Sequence, residues 1–194
     1  LQVMRSYDGK VTGSAEVVAS TGSLPSDLPA PSLVDYNPDL ASPEGWALIS
    51  VDTAEPGQWY YGPFYILILN RQAEVVWYYA VPDRRVSMFP QLSLDGTHLV
   101  FDESTAYFST ASDPRLHRLS LDFSYDEYVP VDRLTYGFTE VEGGGFIRDY
   151  GSWGSYSLVE QDADGSLRTI WDCNPWLEQY LSGSSTCYTN AVNY

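Results

Sequence analysis

A chain of 194 residues is long enough to bury one sizeable core. Its 16 Tyr and 6 Trp suit close-packed twisted sheets better than a helical bundle. A net charge of −16 lacks the basic footprint that nucleic acid requires and opposes adhesion to anionic lipid. The longest apolar block, Phe64–Leu69, is strand-sized and far short of the ~18 residues of a membrane-spanning helix.

Residues 1–21 alternate weakly, with Val3, Val11, Val17 and Val18 among polar neighbours and a turn at Asp8-Gly9. They read as the tail of an N-terminal β domain or as a strap. Residues 22–45 read as a linker, because Pro25, Pro29, Pro31, Pro38 and Pro43 fix φ and remove backbone donors. From residue 46 onward the pattern turns to short apolar runs separated by turn residues. It predicts strands at 46–51, 65–70, 74–80, 88–94, 97–102, 106–110, 114–122, 127–131, 138–141, 146–150, 156–161 and 167–172. Residues 175–181 (PWLEQYL) carry the spacing of about two helical turns.

Within this series, residues 89–102 (FPQLSLDGTHLVFD) place Asp95-Gly96 between two apolar runs, a strong hairpin signal because Gly accepts the positive φ of the turn. The design returns at 136–150 (YGFTEVEGGGFIRDY), with Gly96 and Gly144 lying 48 residues apart. A second hairpin recurs at 65–79, 116–129 and 158–171. Aligned on its turn, it matches Asn70, Asp122 and Asp164, and likewise Trp77, Val129 and Trp171. Two hairpins alternating on a period of ~40–50 residues mark a β-propeller blade. The expected fold is all-β: about three blades of a propeller over 46–194, with 188–194 (YTNAVNY) reading as the first strand of a further blade. Three blades leave open edges, so the expected partner is the remaining blades, on the same or another chain.

Few residues carry obvious chemistry. Cys173 and Cys187 bracket a loop-like segment, and a disulfide between them would restrict the unfolded chain by roughly 3 kcal/mol. That pairing and the acidic balance point to an exported protein: periplasmic, cell-surface or extracellular. An acidic face binding cations is the sharper alternative reading of the charge. Asp162-Ala163-Asp164-Gly165 reads as a hairpin turn, since an EF-hand loop would need a third ligand and a Glu where Asp172 stands. Gly143-Gly144-Gly145 lacks the Lys-Ser/Thr of a phosphate loop. His98 and His117 read as ordinary strand positions, structural or facing solvent. No metal spacing is present, and no cofactor is expected. The loop aromatics Trp59, Tyr60, Tyr61, Tyr107, Phe108 and Trp153 lie near proposed strand ends. They are candidates to stack on a phenolic ligand or a sugar, or to plug space between blades.

The order and spacing of LPSDLP (24–29), YILILNRQAEVVWYY (65–79), FPQLSLDGTHLVFD, GFTEVEGGGFIRDY (137–150), DADGSLRTIWD (162–172) and CYTNAVNY (187–194) resembles the N-terminal half of the bacterial arylsulfotransferases, the PAPS-independent aryl-sulfate sulfotransferases. The resemblance covers roughly residues 22 to 194. It implies a six-bladed ring, within the ~4–8 blades with which propellers close. It also implies transfer of a sulfuryl group between phenols through a sulfated histidine. A His-x-Asn element of that family aligns with Tyr188-Thr189-Asn190, which keeps Asn190 and replaces the His by Tyr188. A second family histidine is replaced within 134–137, and neither His98 nor His117 matches a family position. The implied function is therefore binding or scaffolding. The alternatives are an active transferase whose nucleophile lies beyond residue 194, and a subunit or fragment of an extracellular assembly.

Overall fold

The computed structural model describes residues 2–7, 10–16, 23–28, 30–35, 37, 45–55, 57–58, 62–104, 113–134, 137–152, 155–175 and 179, and for 2–16, 152, 155 and 156 the backbone alone. The described chain is all-β, and its sheets are antiparallel and open. A hairpin pairs β1 (Gln2–Tyr7) with β2 (Lys10–Glu16) around the expected Asp8-Gly9 position. Three sheets follow, each a meander of sequential neighbours. The first holds β3 (Ala47–Asp52), β4 (Phe64–Leu69) and β5 (Val75–Ala80). The second holds β6 (Gln91–Leu92), β7 (His98–Glu103), β8 (Arg115–Ser120) and β9 (Asp126–Pro130). The third holds β10 (Phe138–Glu140), β11 (Phe146–Ser152), β12 (Ser155–Gln161) and β13 (Leu167–Asp172).

The predicted strand at 167–172 coincides with β13, whereas the strand predicted at 88–94 shortens to β6. Asp102 is the reason: its Oδ1 accepts the Met88 and Phe89 N–H groups at 2.8 Å each, so these donors never enter the ladder. Asp149 occupies the same rung in the third sheet and accepts the Gly137 N–H at 3.3 Å. The strand expected at 106–110 and most of the helical turns expected at 175–181 lie outside the described residues.

The tight turn before the last strand of each sheet repeats closely. Asn70, Ser120 and Asp162 each accept a backbone N–H three residues on, from Ala73, Phe123 and Gly165. Those three residues adopt left-handed φ of 59°, 60° and 87°. Asn70 thus corresponds to Ser120 and Asp162, two residues before the Asp122 and Asp164 that sequence alignment matched to it. The turn of the second sheet spans Ser120 to Tyr125, one residue longer than Asn70 to Glu74, and the first and third sheets carry bulges. Equivalent rungs are therefore Ile66–Tyr79, Leu116–Val129 and Leu158–Trp171. Trp77 does not share the rung of Val129 and Trp171; its ring N–H instead donates to the Leu121 carbonyl of the second sheet at 2.9 Å.

These rungs set the packing. One face of the first sheet (Ile66, Ile68, Trp77, Tyr79, Leu48) meets one face of the second (Leu99, Phe101, Leu119) in a shared core. The opposite face of the second sheet (Val100, Leu116, Val129) meets Phe138 and Phe146 of the third. The outer face of the first sheet (Tyr65, Leu67, Val75, Tyr78) is closed by Leu28, so the Pro-rich segment acts here as a strap. Asp27 reinforces it by accepting the Tyr65 hydroxyl at 2.8 Å.

Because Phe101 is fully buried between two sheets, Phe101→Ala is expected to cost about 3–5 kcal/mol in urea unfolding. Ala73 sits at a left-handed φ of 59°, which a side chain disfavours by ~1–2 kcal/mol while Gly loses ~0.5–1 in entropy. Ala73→Gly is therefore expected to stabilise by roughly 0.5–1 kcal/mol in the same measurement.

Candidate functional site

Strand direction separates two kinds of connection. All the tight turns (70–74, 93–98, 120–125, 141–145 and 162–166) fall at one end of the sheets. The other end carries the remaining connections: those within sheets (53–63, 104–114 and the two-residue 153–154) and those from sheet to sheet (81–90, 131–137), among them every long one. The sheets are aligned, since contacts join like ends. Leu94 N–H donates to Glu140 at 2.7 Å and Arg118 to the Gly144 carbonyl at 2.7 Å at the turn end, while Arg85 pairs with Asp113 at the loop end. Loops that a rigid scaffold need not keep tight are where binding groups gather.

The predicted loop aromatics follow this division. Trp59 and Tyr60 belong to the β3–β4 connection, Tyr107 and Phe108 to β7–β8, and Trp153 to β11–β12. These are equivalent connections at the same end. Each of these side chains lies outside the described residues, as do Tyr188, Asn190 and Cys187. Cys173 is completely buried directly after β13, and no described cysteine is free.

Five arginines gather at the loop end among carboxylates such as Asp83, Glu103, Asp113 and Asp132, which sequence reading missed. Of the chain's 10 Lys and Arg, five (Arg84, Arg85, Arg115, Arg133 and Arg148) stand at the loop end. A short repeat underlies two of them. Val81-Pro82-Asp83-Arg84 and Val131-Asp132-Arg133 open the two crossovers between sheets. In both, the Val is buried and the Asp-Arg pair is exposed. Arg84 and Arg133 hold left-handed φ of 55° and 54°. Backbone held in this sparsely populated region costs ~1–3 kcal/mol and concentrates at functional segments. The Arg133 guanidinium lies 5.2 Å from the centre of the Tyr150 ring.

Beneath the loop end, between the first and second sheets, lies a buried polar cluster. Glu103 and His117 are fully buried. Glu103 accepts from Arg115 Nη2 at 2.6 Å and Nε at 3.0 Å, and from the Tyr79 hydroxyl at 3.3 Å; His117 Nδ1 lies 2.9 Å away. His117 Nε2 faces Asp126 at 2.7 Å. Both ring nitrogens thus lie within hydrogen-bond distance of carboxylate oxygens. Tyr128 stacks on the imidazole at 4.2 Å and Arg115 lies over Tyr128 at 3.8 Å. His117 is therefore a pin between sheets, with both ring nitrogens buried against carboxylates and closed to a substrate. His98 is half-buried, with Nδ1 2.6 Å from Thr97 Oγ1 and its ring against Tyr125.

Burial pushes the Glu103 carboxyl upward, but the bonds from His117 and Arg115 outweigh it and hold the group below the ordinary range. Burial raises the Tyr79 hydroxyl, helped by Tyr128 and Glu103. Burial raises Asp102 to about 6 despite its two backbone N–H bonds. The second interface has its own pin: fully buried Arg148 donates to Gln161 at 2.9 Å and to the Asp132 carbonyl at 2.8 Å. Among the described residues, no group of three His, Cys, Asp or Glu is arranged to hold a metal ion. No described helix is long and apolar enough to cross a membrane.

No protein-family model, curated protein or solved structure matches this chain.

Removing Glu103 strands Arg115, Tyr79 and His117, so Glu103→Ala is expected to cost about 3–5 kcal/mol in urea unfolding. The two buried carboxyls act oppositely with pH. Glu103 is depressed in the folded state, so its contribution is complete above the unfolded value of ~4.3 and is lost as pH falls through the folded pKa. Asp102 is raised, so its ionisation costs stability above about 6, and acidification toward the unfolded ~3.9 relieves that cost. Asp102→Asn keeps the oxygen that accepts both N–H bonds. It is expected to be more stable than the wild type at pH 7, with the difference shrinking between pH 6 and 4, as read from urea midpoints across pH 4–8.

Proposed function

We propose that the chain is a sector of an exported, arylsulfotransferase-like β-propeller that binds rather than catalyses. Its loop end takes a flat phenolic ligand carrying negative charge, of which an aryl sulfate is the simplest example. Sheets that are sequential meanders, stacked in order with their long connections on one side, support a propeller. The observation that carries the ligand is the asymmetry between the two ends. Of the five arginines at the loop end, Arg84 and Arg133 are exposed, at the same end as the connections that hold Trp59, Tyr60 and Trp153. Arginines pair with sulfate oxygens in bidentate fashion and stack with rings, and aromatics supply a flat apolar surface.

Binding is favoured over catalysis because sulfuryl transfer through histidine needs an imidazole nitrogen with a lone pair at the ligand. His117 is sealed between Glu103 and Asp126, and His98 lies at the turn end. Tyr188 and Asn190 would then serve as hydrogen-bonding groups for sulfate oxygens, and the remaining blades would be the partner. The Cys173–Cys187 disulfide belongs to the same reading of an exported protein, and non-reducing peptide mapping tests it directly.

Titration with 4-nitrophenyl sulfate, followed by tryptophan fluorescence and calorimetry, is expected to give saturable binding. The double variant Arg84→Ser/Arg133→Ser should weaken it at least tenfold, and Trp59→Ala should weaken it with no loss of fold by circular dichroism. An uncharged oligosaccharide binding equally well to both proteins would overturn the charged-ligand reading. Sulfuryl transfer from that donor to a phenol by the purified protein would overturn the binding-only reading in favour of the transferase.

A further inference from the structure

The last strands of the three sheets, β5, β9 and β13, each leave one edge unpaired among the described residues, and the three edges differ. In the first sheet the Val81 N–H donates to the Phe64 carbonyl at 2.9 Å, and in the second the Val131 N–H donates to the Pro114 carbonyl at 3.2 Å. Antiparallel ladders alternate, so the residue before each Val turns its backbone polar groups away from the sheet. That residue is Ala80 in β5 and Pro130 in β9, and Asp172 holds the same rung in β13, opposite Tyr65, Arg115 and Ser157 respectively. Pro130 has no N–H to offer and Asp172 sets a charge on the edge, two devices that keep an edge from pairing. β9 adds Asp126 and Glu127, and β13 adds Arg168. β5 (VVWYYA) has neither a charge nor a Pro. Its Tyr78 and Ala80 each turn an N–H and a carbonyl outward, and no backbone bond joins these groups to other described residues.

We propose that the free edge of β5 is a docking site for an extended, basic segment of another protein, which adds to the first sheet as a further strand. Main-chain bonds to Tyr78 and Ala80 supply the affinity, and side chains at alternate positions supply the selectivity. The rim beside the edge sets that selectivity. Phe123 stacks on Trp77 at 5.7 Å and stays 55% exposed. Tyr79 and Tyr128 both lie against His117, at 5.3 and 4.2 Å, and Tyr128 stays 40% exposed. Asp122 and Asp126 stand exposed on either side of Phe123 and Tyr125. Arg115, the cation over Tyr128, is tied to Glu103. Lys or Arg side chains of an added strand meet ring faces and carboxylates here. Charge also selects this occupant over a second copy, because two chains of net charge −16 repel each other. Successive sheets stack face to face, so further sheets in the stack leave the β5 edge free, and the site is separate from them and from the loop-end ligand.

The probe is a fluorescently labelled peptide alternating Val and Lys, titrated into the 194-residue protein and followed by anisotropy. Saturable binding is expected, with a peptide alternating Val and Glu at least tenfold weaker. Ala80→Pro removes one edge donor and installs the residue that β9 already carries on this rung, and it should weaken binding at least tenfold. A second measurement needs no variant. Saturating Val-Lys peptide should slow hydrogen exchange of the Tyr78 and Ala80 amides at least tenfold, read by NMR, and leave the Val81 amide unchanged. No binding, equal binding of the two peptides, equal binding by Ala80→Pro, or unchanged exchange at Tyr78 and Ala80 overturns the proposal. Protection of those two amides by raised protein concentration alone also overturns it, in favour of a second copy.

Discussion

Strands β4 and β7 are apolar on both faces, and a sheet built on such strands is stable only with a neighbour on each side. Phe64, Ile66 and Ile68 point one way along β4 while Tyr65, Leu67 and Leu69 point the other. Leu99 and Phe101 point one way along β7 and Val100 the other, with all three at 2% exposure or less. Two-faced burial is unusual for antiparallel sheets, which commonly leave one face to water. It forces a serial stack: the strap at Leu28 covers the first sheet, the first covers the second, and the second covers the third. The hydrophobic term for residues such as Ile66 and Leu116, about 1.5–3 kcal/mol each, is available only in that arrangement.

A stack of apolar faces is non-directional, and sheets can slide on one another unless something marks the register. The buried polar groups do so. Glu103, His117 and Arg115 from the second sheet meet Tyr79 from the first, and Arg148 of the third reaches the Asp132 carbonyl of the crossover that leads into it. Each such group would cost several kcal/mol in an apolar environment if its partners were missing. A slipped arrangement therefore carries a penalty that the native one avoids. Asp102 and Asp149 work at shorter range, on the same rung of successive sheets. They take up N–H groups of the segment entering the inner strand and so decide where pairing begins.

Local signals were the most legible part of the chain. Asp95-Gly96 turns as expected, with Gly96 at φ 72°, and the predicted 167–172 strand coincides with β13. Turn residues act through a few neighbouring dihedrals, so a short window contains their whole cause. Register across copies was less legible. The turn of the second sheet is one residue longer and the bulges differ, so Trp77 was matched to Val129 and Trp171 although the ladder places Tyr79 on their rung. Of the candidate site, the aromatic connections could be picked out from sequence because they interrupt apolar runs. The gathering of arginines could not, since Arg84, Arg115 and Arg148 are far apart in the chain and share only an end of the sheets. The Val-Asp-Arg repeat of the two crossovers was the available signal.

His117 shows where sequence reading stops. In Leu116-His117-Arg118-Leu119 the alternation looks like that of any half-exposed strand. The side chain is nonetheless fully buried, because its face meets the first sheet and not solvent. By itself, the sequence determined most of the described strands, their turns, the two-hairpin rhythm and the strongly acidic balance, all of which depend on near neighbours or on totals. Only the tertiary structure decided which face meets which, which carboxylates flank His117, and which end collects the arginines. Those outcomes depend on contacts between residues separated by a whole sheet or more, and a period-two pattern carries no record of what lies opposite.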